Sequence, residues 1–213
     1  MFRRLLGVFA LVFFIAVPSL CGAQSFETLL RSVEAGDVPK VTELIDKGLD
    51  PNTADPQGNT LLMIASRIGQ RDMAAFLISR KASVTRRSPF GDTALMFASL
   101  KGHLAIVRLL VENGAEINHT GWTPLHYAAV EGRAEVTKFL LEKGADKNAV
   151  APNGYTALML ASLNAHVEAA RMLLYEDVDV SVRGPKGETA LVIAKGKNNP
   201  ELISLLRRAG AVD

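Results

Sequence analysis

The sequence predicts an all-α solenoid, about six helix–turn–helix units stacked in a row. Three observations carry this. A Gly-x-Thr opening followed by an apolar run recurs five times, as Gly58–Ala65, Gly91–Ala98, Gly121–Ala128, Gly154–Ala161 and Gly187–Ala194. Successive glycines stand 33, 30, 33 and 33 residues apart, a period in the range of stacked-repeat architectures. A second apolar block follows at helical spacing, for example Ile106, Val107, Leu109 and Leu110, then Val136, Phe139, Leu140 and Leu141. No single unit can bury such a stripe, so each must lean on its neighbours.

In chain order, residues 1–23 read as a signal peptide cleaved near Ala23. Arg3 and Arg4 precede the apolar run Leu5–Val17, Pro18 breaks it, and Cys21-Gly22-Ala23 supplies the small residues of a cleavage site. The run is shorter than the about 20 residues that a spanning helix needs. Export to a bacterial periplasm is the expectation, with no membrane attachment after cleavage. Loss of the leader removes Cys21, the only cysteine, so the exported part would stand without disulfides. It also removes two of 24 basic residues, leaving 22 against 22 acidic ones. A neutral chain gives no reason to expect nucleic acid as a partner.

The repeat domain is expected over residues 24–213, with units at about 25–57, 58–90, 91–120, 121–153, 154–186 and 187–213. The first unit lacks Gly-x-Thr but keeps Leu29-Leu30, Gly36-Asp37 and Val41–Gly48, and serves as the N-terminal cap. Thr60, Thr93, Thr123, Thr156 and Thr189 each precede an apolar helical stretch, where a hydroxyl can cap the first turn. Pro124 falls at a first helical position, where its missing N–H does no harm. Gly69, Gly102 and Gly132 are placed to end the first helices, and Gly48, Gly114, Gly144 and Gly210 the second. One spacing departs from the rest. Asn118 to Gly121 is three residues, whereas Asn52 to Gly58 and Asn148 to Gly154 are six. Either this opens a gap in the row of loops, or it is a neutral deletion of the kind that loops tolerate.

The segment Gly121-x-Thr123-Pro124-Leu125-His126-x-Ala128-Ala129, followed by Gly132 and Gly144-Ala145-Asp146-x-Asn148, resembles the ankyrin-repeat family, and the resemblance extends over residues 25–213. It implies two antiparallel helices and a β-hairpin finger per unit. It also implies that His126 hydrogen-bonds between units, and that partners are held by finger tips and by the concave side of the first helices.

The sequence offers little chemistry. No His, Cys, Asp or Glu set has metal-ligand spacing, and no nucleophile elbow or phosphate loop occurs. No enzyme activity, cofactor or metal is expected. His103 and His166 occupy equivalent places after the inter-helix turn; His119 has no assignment. The variable positions that the resemblance marks as partner-facing are Asn59, Ile64, Arg67 and Ile68, then Phe90, Asp92, Phe97, Leu100 and Lys101. The fourth and fifth units add Trp122, Tyr127, Val130 and Glu131, and Tyr155, Leu160, Leu163 and Asn164. Aromatic and apolar residues concentrated at such positions have the composition of a binding hot spot, which selects Phe90, Phe97, Leu100, Trp122, Tyr127, Val130, Tyr155, Leu160 and Leu163. The competing reading has Phe97, Tyr127 and Leu160 pack between neighbouring helices. The expected function is a monomeric, non-enzymatic scaffold that binds one exported protein. Such a partner is a cell-wall hydrolase, a toxin or another periplasmic enzyme, inhibited or sequestered as in an immunity role. The alternative is a supportive factor that stabilises or delivers a periplasmic enzyme, for instance in oxidative stress defence.

Overall fold

The computed structural model describes residues 19–212, with side chains from Phe26 on. The expected leader therefore lies almost wholly outside the described residues, and only its last few fall within the first helix. Among the described residues, twelve helices run in six consecutive pairs: α1 (Ser19–Ala35) with α2 (Val38–Asp46), α3 (Leu61–Ile68) with α4 (Arg71–Ser79), and α5 (Ala94–Lys101) with α6 (Leu104–Glu112). After these come α7 (Pro124–Val130) with α8 (Ala134–Glu142), α9 (Ala157–Leu163) with α10 (Val167–Tyr175), and α11 (Ala190–Gly196) with α12 (Pro200–Arg208). The odd-numbered helices pack in order, α1 on α3 through to α9 on α11, and the even-numbered ones form a parallel second row.

The local reasons are those of the sequence. Thr60, Thr93, Thr123, Thr156 and Thr189 cap the first helices of units two to six, each hydroxyl accepting from the N–H three residues on. Pro124 opens α7 at its first position. The core is built from rungs that repeat with the period. Leu62, Leu95, Leu125, Leu158 and Leu191 share one register and are all buried, as are Leu77, Leu110, Leu140, Leu173 and Leu206 in the second helices. Between these rungs Ala65, Ala98, Ala128, Ala161 and Ala194 are fully buried, and their small size lets adjacent first helices approach.

Inter-helix turns are locked from the next unit. Gly69 and Gly132 have φ of 86° and 66°, and a β-carbon on them would stand 2.7 and 2.5 Å from the rings of His103 and His166. These positions need glycine twice over, for the left-handed backbone and for the histidine stacked on it. His103 and His166 are thus spacers at the starts of α6 and α10, as their equivalent places suggest.

The fingers are minimal hairpins. Among the described residues there are no strands, only the isolated bridges Ala54–Thr60 and Val150–Thr156. Each full finger closes instead by a tight turn and one cross-bond, such as Asp55 N–H to the Asn59 carbonyl at 2.8 Å and Ala151 N–H to Tyr155 at 2.9 Å. The five residues between the Asn and the Gly leave room for a turn and one pair, too few for a ladder.

Candidate protein-binding face

The side chains expected to meet a partner arise from two places in each unit, the residue before the capping Thr and the exposed turn of the first helix. Leu160 departs from the expectation: it is 2% exposed, as is Ile64 at the same register, so both belong to the packing between first helices. Phe97 and Tyr127 occupy that register too but are half-buried. Where a following unit covers it, a leucine or isoleucine fills the slot, whereas a planar ring overreaches it and its far end emerges. Each emergent ring is then fixed. Arg67 of the preceding unit lies over Phe97, 5.9 Å from its centroid. The Tyr127 hydroxyl donates to Oδ1 of Asp92, also one unit back, at 2.5 Å. Burial, and then that carboxylate, push the Tyr127 hydroxyl far above the ordinary phenol range.

Trp122 is half-buried and forms an aromatic group with its own helix, edge-on to His126 at 5.9 Å and tilted against Tyr127 at 5.7 Å. Tyr155, at the equivalent place one unit on, packs against the core and donates its hydroxyl to Oε1 of Glu188 at 2.6 Å. That contact raises the tyrosine above its ordinary value and lowers the glutamate. Leu100, Val130 and Leu163 are part-exposed at the ends of their helices. The carbonyls of Leu100 and Val130 accept from Arg133 at 3.1 Å and from Asn164 at 2.9 Å, so each helix end is tied to the following unit. Phe90 alone of the nine is fully presented, 85% exposed at a finger tip.

His126 ties the first helix of the fourth unit to the root of the finger that follows it, within residues 121–153, and not between units as the resemblance implied. Its Nδ1 accepts from the Thr123 N–H at 3.1 Å, and its Nε2 donates to the Ala149 carbonyl at 2.9 Å. The ring is wholly buried, and burial holds it below its ordinary value of 6.5, in the neutral form.

The structure brings Phe90, Trp122 and Tyr127 together and leaves Tyr155 and Leu163 apart. The first three line a cleft of about 160 Å³ at the clipped finger, shared with Arg87, Asp92, His119 and Pro152. Of these, His119, Arg87 and Pro152 were not legible as site residues, because only the shortened spacing points to them. Tyr175 was missed also; it is 86% exposed at the end of α10, on the second row of helices. Among the described residues no group of three His, Cys, Asp or Glu is placed to hold a metal, and no helix is long and apolar enough to cross a membrane.

Family models described as ankyrin repeats match residues 29–78, 81–151, 119–184 and 149–213. A putative ankyrin repeat protein of Escherichia coli, YahD, is 29% identical over 133 residues, covering 45% of this chain and 66% of its own. The matched segments take up only 19% of a serine/threonine-protein kinase of Arabidopsis thaliana and 14% of a palmitoyltransferase of Lachancea kluyveri, at 31% and 35% identity, over 41% and 47% of this chain. Among solved structures, the human ASB11 ankyrin repeat domain superposes with a TM-score of 0.80 at 27% identity, covering 86% of this chain and 84% of that one. An ankyrin repeat domain from Acinetobacter baumannii gives 0.77 at 26% identity, over 86% and 98%.

Proposed function

We propose, from the premise that the chain belongs to the ankyrin-repeat family, that it acts in a bacterial periplasm, where it binds one exported enzyme and blocks it. Ankyrin repeats are a scaffold for protein–protein interaction and in general carry no catalysis of their own. The observation that carries the finer reading is the state of the aromatic residues on units three to five. Tyr127, Tyr155 and Trp122 are half-presented and already held, by Asp92, by Glu188 and by the His126 ring. A surface fixed before the partner arrives loses little side-chain entropy on binding, and Trp and Tyr are the residues that anchor interfaces. Such a face suits tight, stoichiometric occlusion of an enzyme. The leader-like residues 1–23 support the compartment.

The test is capture from periplasmic extract, followed by assay of the captured enzyme. One partner in equimolar amount, with its activity reduced, is the expected result. A rise in the partner's activity or abundance on binding would overturn inhibition in favour of support. Trp122→Ala combined with Tyr155→Ala is expected to abolish capture while helical circular dichroism is retained. Unchanged capture would reject this face.

A further inference from the structure

We propose that the clipped finger between the third and fourth units is a pocket for an arginine side chain presented by the partner. This rests on the protein-binding reading above and specifies one group that the partner must carry.

The pocket exists because the row of fingers is closed elsewhere and open here. A β-carbon on Gly58 or Gly154 would stand 2.4 or 2.6 Å from the proline of the next finger, Pro89 or Pro185. On Gly121 the nearest atom is Pro152 at 3.9 Å. The four full fingers also close by a bond from the glycine N–H to the carbonyl three residues back, at Asp55, Ser88, Ala151 and Gly184. With three residues missing, the turn that would fill the gap is not formed. What remains is the cleft of about 160 Å³, room for about five waters at ~30 Å³ each and the scale of a guanidinium with its last methylenes.

Its lining selects a cation rich in donors. Asp92 contributes a carboxylate whose Oδ1 takes the Tyr127 hydroxyl, and no basic side chain pairs with it among the described residues. His119 closes one wall: its Nδ1 meets the Thr120 carbonyl at 3.0 Å and its Nε2 is sealed from solvent, so the ring brings no charge partner to Asp92. Trp122, Tyr127 and Phe90 supply aromatic walls. The one cation at the rim, Arg87, is already paired with Glu116 at 3.0 Å. A guanidinium meets these demands together: it is planar, stacks on the aromatic walls and can turn its donors to the Asp92 carboxylate, whereas an ammonium is a compact, strongly hydrated point charge. A carboxylate fits badly, since it faces Asp92.

Trp122 is the only tryptophan in the chain, so its emission reports occupancy directly. The whole protein is titrated with the capped peptide Gly-Arg-Gly and with counterparts carrying citrulline, lysine or glutamate in place of arginine. A saturable change is expected with arginine, weaker by at least about tenfold with citrulline, which keeps the shape and loses the charge, and absent with glutamate. Inserting Asp-Pro-Gln between Thr120 and Gly121 restores the full finger and is expected to abolish the response with helical circular dichroism unchanged. Should that variant not fold, Asp92→Asn with His119→Ala is expected to remove the arginine preference in its place. No saturation, an equal response to citrulline, or a full response in the insertion variant or in the folded double variant overturns the pocket. Failure here with periplasmic capture intact rejects the pocket and spares the binder. An arginine response with nothing captured does the reverse.

Discussion

The fingers on either side of the fourth unit hold the same kind of junction with different lengths of chain. The one after it pairs Val150 with Thr156, closes through Ala151 and Gly154, and is overlapped by Pro185. The one before it has none of these. Both nevertheless reach across to the next unit from the root of the finger. The Asn148 side-chain oxygen accepts from the Asp179 N–H at 2.9 Å; that of Asn118 accepts from Asp146 at 2.8 Å, and its amide donates to Gly144 at 2.8 Å. Stacking is thus secured at the root, while the tip is free to change. A deletion taken from the tip alters the surface and leaves the core rungs in register.

That division can be broken by measurement. The largest effect is expected at His126, which ties the fourth unit to the root of the following finger. His126→Ala removes a buried ring and leaves the Thr123 N–H and the Ala149 carbonyl without it, a loss of about 3 kcal/mol in urea unfolding. His119→Ala, at the clipped tip, is expected to be near neutral; equal losses at the two histidines would sink the comparison. Next come the glycines. Gly154→Ala suffers both a positive φ of 81° and the clash with Pro185, about 2 kcal/mol, whereas Gly121→Ala meets only the backbone penalty at 95°, about 1 kcal/mol. A reversed order in thermal melts would mean that the gap is not open. The smallest effect is with pH. His126 is held below its ordinary 6.5 in the folded state, so below that value the unfolded chain binds the extra proton. Its contribution is fully present above 6.5 and is lost as the pH falls through 6.5 towards the lower folded value. Urea midpoints at pH 7.5 and 5 are expected to show this, and His126→Gln to flatten it.

The unit count, the threonine caps, the Pro124 start and the glycine stops were all legible in the sequence, because each is a local demand repeated with the period. The face was legible in position but not in depth. Ile64, Phe97, Tyr127 and Leu160 share one register, and nothing in that register says that two sink and two emerge. The outcome turns on side-chain length against a slot of fixed size, which is a property of the stacked neighbours. Position alone likewise cannot show that Tyr155 finds Glu188, or that Nε2 of His119 is buried without a partner. The fingers came from the resemblance alone, and their extent was not legible: two keep an isolated antiparallel bridge, and so short a loop holds no ladder.

The root asparagines have a mechanical meaning as well. A chain whose units touch only their neighbours carries tension in series, so under load each junction bears the full force. Asn52, Asn118 and Asn148 bolt three of the five junctions, the first through the Ser83 N–H at 2.8 Å. The corresponding residues at the other two are Thr85 and Ser181, whose side chains bond within their own loops. Pulled from its ends, the solenoid should peel first between units two and three and between units five and six. A sawtooth whose earliest steps come from the Asn junctions would contradict this. A middle block of three units would then hold together longest, and it is the block that carries Phe97, Trp122, Tyr127 and Tyr155.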